Sequence, residues 1–174
     1  MLGTLEKALQ EQIRDLYSAE NMLVKALPKM AKAASSESLR RAITSHLEET
    51  RGHVERLQQV AQILECRPTG KTCKAMAGLI EEGKEVLDED GEGSVIDAAI
   101  IAAAQRVEHY EIAAYGTART MAQRLGHPDV ARLLQETLNE EGAADKKLTA
   151  ISEEEVLTAA IDAGNSTDHR PQRE

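Results

Sequence analysis

The chain has 174 residues, 41% of them hydrophobic and 29% charged, which is enough for one domain with a sizeable core. No apolar run reaches about 18 residues, which argues against a spanning helix, and the N-terminus lacks the basic and apolar regions of a secretory signal, so a cytoplasmic protein with no membrane partner is expected. A net charge of −9, with no Trp or Phe and three Tyr, argues against nucleic-acid binding, because phosphates are repelled and bases find little to stack on.

Nearly every periodic segment repeats at 3.6 residues, which predicts an all-α protein. A first helix is expected over residues 4–34 with Thr4 as N-cap, and Pro28 inside it predicts a kink. Ser35 and Ser36 make a turn and cap a second helix reaching about residue 65, roughly 40 Å long. Residues 66–93 form a long connection, broken near Pro68 and Gly70 and again over residues 88–93. Between the breaks, Met76, Leu79, Ile80, Val86 and Leu87 outline a short amphipathic helix. Such a connection can cross a bundle and make the second and third long helices parallel, which a tight turn cannot do. Cys66 and Cys73 have neither zinc nor redox spacing and read as two free thiols or, as the alternative, a loop-closing disulfide.

Ser94 with Asp97 is expected to open the third long helix, which stops at Gly126, His127 and Pro128. A fourth helix covers residues 129–151. Ser152 with Glu155 then reads as a capping box for a fifth helix carrying Val156, Leu157, Ala160 and Ile161. The bundle is expected over residues 1–163, with a polar tail over 164–174.

Two carboxylates interrupt apolar stripes. Glu20 lies among Ile13, Leu16, Leu23 and Leu27; Glu111 lies among Ile100, Val107, Ala114, Ala118 and Leu125. A buried, isolated carboxylate is very costly, so each must be neutral, paired or bound to a metal. Shifting the sequence by 91 residues overlays Leu16, Glu20, Leu23 and Leu27 on Val107, Glu111, Ala114 and Ala118. The same shift overlays Leu39, Ile43 and Leu47 on Val130, Leu134 and Leu138. The chain therefore reads as two copies of one helical hairpin, each carrying its own inward glutamate.

The second helix adds His46, Glu49 and His53 on one face, and the fourth adds Glu141 and Asp145. One inward Glu on each of two helices, with acid and His on the other two, is the di-metal carboxylate arrangement. The candidate ligands are Glu20, Glu49, His53, Glu111, Glu141 and Asp145, an oxygen and nitrogen set suited to iron or manganese. Glu108 is an extra ligand, a partner of His53, or exposed. Glu49 and Glu141 belong to acidic pairs that also read as solvated faces. Tyr17, Tyr110 and Tyr115 read as packing or as hydrogen-bond partners of the glutamates.

The segments 15–20 (DLYSAE), 46–53 (HLEETRGH), 76–82 (MAGLIEE) and 102–116 (AAAQRVEHYEIAAYG) resemble the YciF-like proteins, ferritin-like bacterial proteins linked to stress responses. The resemblance covers nearly all of residues 3–151. It implies a ferritin-like four-helix bundle with a fifth helix, a homodimer and a di-metal centre. Ferritins and rubrerythrins, the wider relatives, carry Glu-x-x-His on two bundle helices. This chain has Thr50 three before His53, and Ala144 three after Glu141. A one-residue helical bulge would restore the spacing; otherwise the site has fewer ligands or a single metal.

Two functions are expected from these readings. The first is a di-iron or di-manganese centre acting on peroxide, dioxygen or ferrous iron. The second is a metal-binding or structural helical dimer without turnover.

Overall fold

The structure, a computed structural model, describes residues 3–167. Among them are the helices α1 (Leu5–Ala33), α2 (Glu37–Ile63), α3 (Lys74–Asp88), α4 (Gly93–Leu125), α5 (Pro128–Ile151) and α6 (Leu157–Thr167), and no strand. Thr4 caps α1 by accepting from the Lys7 amide at 3.2 Å, and Ser36 caps α2 by accepting from Leu39 at 3.1 Å. α1 continues through Pro28 to Ala33. Gly126 turns the chain at φ 80°, a left-handed conformation that glycine adopts without a Cβ clash, and Pro128 opens α5.

Contacts between helix ends fix the topology. Gln10 and Arg14 near the start of α1 donate to the carbonyls of Leu64 and Arg67 just beyond α2, so α1 and α2 are antiparallel. Asp97, early in α4, accepts from the Ser35 and Ser36 amides at 2.8 and 2.7 Å. α4 therefore starts where α2 starts, and the two are parallel. His127 lies 3.2 Å from Glu6, which returns the α4–α5 turn to the beginning of α1. The connection carrying α3 thus runs the length of the bundle, with α3 packed on α1 and α4. Around the bundle the order is α1, α2, α5, α4, the four-helix architecture expected of a ferritin-like chain.

Three local expectations are corrected. Ser94 and Asp97 do not cap α4; it begins at Gly93, and Asp97 is buried as the acceptor for the α1–α2 turn. A Cβ on Gly93 would meet the Ser35 hydroxyl oxygen at 2.5 Å, so glycine permits this close approach. Ser152 and Glu155 form no capping box. Ser152 is already helical at φ −59°, ψ −54°, whereas a cap needs extended backbone, and Glu155 instead accepts from the Ser36 hydroxyl at 2.6 Å. The chain passes from α5 through a π-helical stretch, Ser152–Val156, directly into α6. Helix α6 then runs past the boundary expected at 164 to Thr167; residues 168–174 of the expected tail lie outside the described residues. Cys73 is the residue preceding α3, which starts at Lys74, and both cysteines are free thiols.

The apolar core is in two halves. One contains Leu9, Ile13, Leu16, Leu57, Val60, Tyr115, Ala118 and Leu134; the other contains Leu23, Leu27, Leu39, Ile43, Ile100, Ile101, Val107 and Leu148. Apart from Asp97 at the bundle's end, the buried polar residues fall between these halves: Glu20 on α1, His46, Thr50 and His53 on α2, Glu108 and Glu111 on α4, and Thr137 and Glu141 on α5. A buried polar layer crosses the middle of the bundle.

Candidate metal centre

Glu20, His53, Glu111 and Glu141 are each 0% exposed, Glu108 is 3% and His46 7%. Two groups of ligand atoms converge in this layer. Glu20, His53 and Glu141 form one; His46, Glu108, Glu111 and Glu141 form the other; within each, the atoms lie within 4.8 Å of one another. Glu141 belongs to both. The expected Glu20, His53, Glu111 and Glu141 are therefore brought together.

The groups meet at ion-pair distance but out of hydrogen-bond alignment. His53 Nδ1 is 3.0 Å from Glu141 Oε1 and 3.4 Å from Glu20 Oε1. His46 Nε2 is 3.4 Å from Glu108 and 3.6 Å from Glu141. Yet His53 Nδ1, His46 Nε2, both oxygens of Glu111, both of Glu141, and one each of Glu20 and Glu108 have no hydrogen-bond partner. The large majority of buried side-chain polar atoms in folded proteins have a partner. So many lone pairs aimed into one layer make an arrangement that could hold a cation.

Neighbouring groups orient the two histidines. His53 Nε2 lies 3.0 Å from Glu140, which also accepts from Arg56 at 2.7 Å. Burial pushes the Glu140 carboxyl up, but Arg56 and His53 outweigh that and hold it ionised. A carboxylate only accepts, so the Nε2 proton belongs to this bond and Nδ1 turns to the layer. His46 repeats the pattern, with Nδ1 3.3 Å from Glu49 and Nε2 facing inward. Tyr115 donates to Glu20.

Without a cation the electrostatics are strained. Burial, then Glu20, Glu141 and Glu108, push the Glu111 carboxyl well above its ordinary range, and burial likewise raises Glu108 and Glu20. Burial pulls the histidines down, but surrounding carboxylates win and hold His46 at about 9 and His53 at about 10. Protons on His46 and His53 stand in for positive charge in the layer.

Glu49 and Asp145 lie outside both groups. The Glu49 side chain is 44% exposed and holds His46 from behind; Asp145 accepts from Gln105 at 3.0 Å and lies 3.3 Å from His109. No bulge restores Glu-x-x-His spacing, since the π-helical stretch lies at Ser152–Val156, past Glu141 and Asp145. Thr50, three residues before His53, is buried and donates its hydroxyl to the His46 carbonyl at 2.8 Å. The missing donors come instead from His46, two turns before His53, and from Glu108, one turn before Glu111. Glu108 is thus neither exposed nor beside His53; it faces His46. Glu140 and Arg56 were not legible as parts of this layer, because an acidic pair on a helix reads as solvated. Of the other tyrosines, Tyr110 donates to Asp15 at 2.6 Å and Tyr17 accepts from Gln58.

Comparison with known proteins gives consistent matches. Residues 4–161 match the family described as Domain of unknown function (DUF892). Protein YciF of Escherichia coli (strain K12) is 48% identical over 152 residues, covering 87% of this chain and 92% of that protein. The crystal structure of the E. coli stress protein YciF superposes with a TM-score of 0.83 at 49% identity, over 86% of this chain and 94% of that one. YcfI from Rhodopseudomonas palustris, with a suggested structural role, also gives 0.83 at 49% identity, over 85% and 94%. A protein from Xanthomonas campestris pv. campestris shares the fold at 20% identity, with a TM-score of 0.70 over 94% and 99%.

Proposed function

The chain belongs to the DUF892 family, with the stress protein YciF among its relatives, and from that premise we propose that its buried layer is a di-metal carboxylate centre for iron or manganese, acting on peroxide, dioxygen or ferrous iron. The observation that carries this reading is the set of buried carboxylate and imidazole atoms that point into one layer at ion-pair distance but without aligned hydrogen bonds. Glu20 and His53 would hold one ion, and His46, Glu108 and Glu111 the other, with Glu141 shared between them. Oxygen and imidazole donors suit these metals, and the free thiol of Cys73 is engaged elsewhere, 2.9 Å from the Tyr110 hydroxyl. Two ions held there would supply the two electrons exchanged with an oxidant. The protein's own part is to hold the ligands in place and exclude bulk water from them. Tyr115 fixes Glu20, Glu140 fixes His53, and Glu49 fixes His46.

Elemental analysis of protein purified without chelator or affinity nickel is the direct test, and iron or manganese near two per chain is expected. Glu20→Ala and Glu111→Ala should each abolish loading; full metal content in both would defeat the reading. The suggested structural role of the R. palustris relative favours a second reading, a metal-binding protein without turnover. Steady-state assays with hydrogen peroxide, and with ferrous iron under air, separate the two.

A further inference from the structure

A small cleft of about 100 Å³ opens between α2, α4 and α5. Its walls include Ala104 and Ala144, and His46 and Glu108 line it as well. Both of these are at least nine-tenths buried, and His46 Nε2 and Glu108 Oε2 have no hydrogen-bond partner. Glu49 and Lys147, both exposed, also border the cleft. It therefore joins the surface to one of the two converging groups of ligand atoms. A site needs only about 10–15 Å³ of such space to admit one water, so the cleft is roomy enough for several waters or for a hydrated ion.

We propose that this cleft is the port through which a divalent cation reaches the buried layer, with Glu49 as the outer carboxylate that receives it and Lys147 as a charge that slows its arrival. This rests on the metal reading above and adds a route to it. The alanine walls keep the passage open, because a longer side chain at either position would lie across it. Glu49 is suited to the outer step, since it is exposed on one side and 3.3 Å from His46 Nδ1 on the other. The opposite charge of Lys147 at the same cleft gives the proposal a sign.

The test is stopped-flow mixing of the metal-free full chain with Co²⁺, read by the visible absorbance of the bound ion. Ala144→Leu should slow loading roughly tenfold or more, because the ion must then wait for a side chain to move, with the final absorbance unchanged. Lys147→Glu should speed loading by up to about tenfold at low ionic strength, and high salt should erase the gain. Native rates in both variants would overturn the port while leaving the metal site standing. A native chain that takes up no Co²⁺ would overturn both. Should Ala144→Leu fail to fold, Lys147→Glu decides alone, since its side chain is on the surface.

Discussion

Glu111 shows at the scale of one residue why the layer is demanding. Both its oxygens are buried and unpartnered, beside other carboxylates. In metal-free protein, replacing it with an apolar residue removes the desolvation cost of an unsatisfied buried group, so Glu111→Leu is expected to stabilise the chain by about 1–3 kcal/mol. The same substitution should cancel any rise in Tm on adding metal, and paired thermal melts check both halves. Glu140 acts through His53 rather than on an ion. Replacing Glu140 with Gln keeps the shape and loses the charge, and should weaken metal affinity by about 10–100-fold, the usual effect of losing a ligand's outer partner. Competition titration against a chelator measures it.

At the scale of elements, the bundle's end is held by backbone groups that meet across helices. Asp97 accepts two amides from the α1–α2 turn while 2% exposed, and Gly93 lets the start of α4 approach Ser35. Asp97→Ala leaves the part-buried Ser35 and Ser36 amides without their carboxylate acceptor and should cost about 3 kcal/mol, given roughly 1.5–3 for each bond to a charged group and partial rescue by water. Urea unfolding would measure this as a shift in midpoint at constant slope. The π-helical stretch is the other element-level feature. It lets α5 run on into α6 without a stop, so Glu155 can reach the Ser36 hydroxyl.

Over the whole molecule, the polar layer divides the core and links stability to protons and metal. Glu20, Glu108 and Glu111 have folded pKa values raised above the ordinary 4.5, and His46 and His53 are raised from 6.5 to about 9 and about 10. A group raised on folding contributes most below its unfolded pKa and loses that contribution as pH rises through the folded value. Metal-free protein should therefore lose stability steadily from about pH 4.5 toward about pH 10, as the layer's protons leave. Metal replaces those protons, so the loaded chain should show a flatter profile. At 100 times its dissociation constant a ligand adds about 2.7 kcal/mol, enough to raise Tm by several degrees. Melting curves across that pH range, with and without Mn²⁺, would reveal both effects; parallel curves would argue against cation binding in the layer.

The all-α class, the long helices and the two inward glutamates were legible in the sequence, because helical periodicity and the cost of a charge in an apolar stripe are local properties. The 91-residue shift paired Glu20 with Glu111, and both side chains are fully buried. Which other side chains join them was decided between helices. His46 and Glu108 converge, Glu49 and Asp145 stay outside, and Asp97 serves a turn rather than its own helix. Spacing along one helix states which residues share a face, but only the packing of four helices states what that face meets. The carboxylate burial was written in the chain, and the company those carboxylates keep was set by the fold.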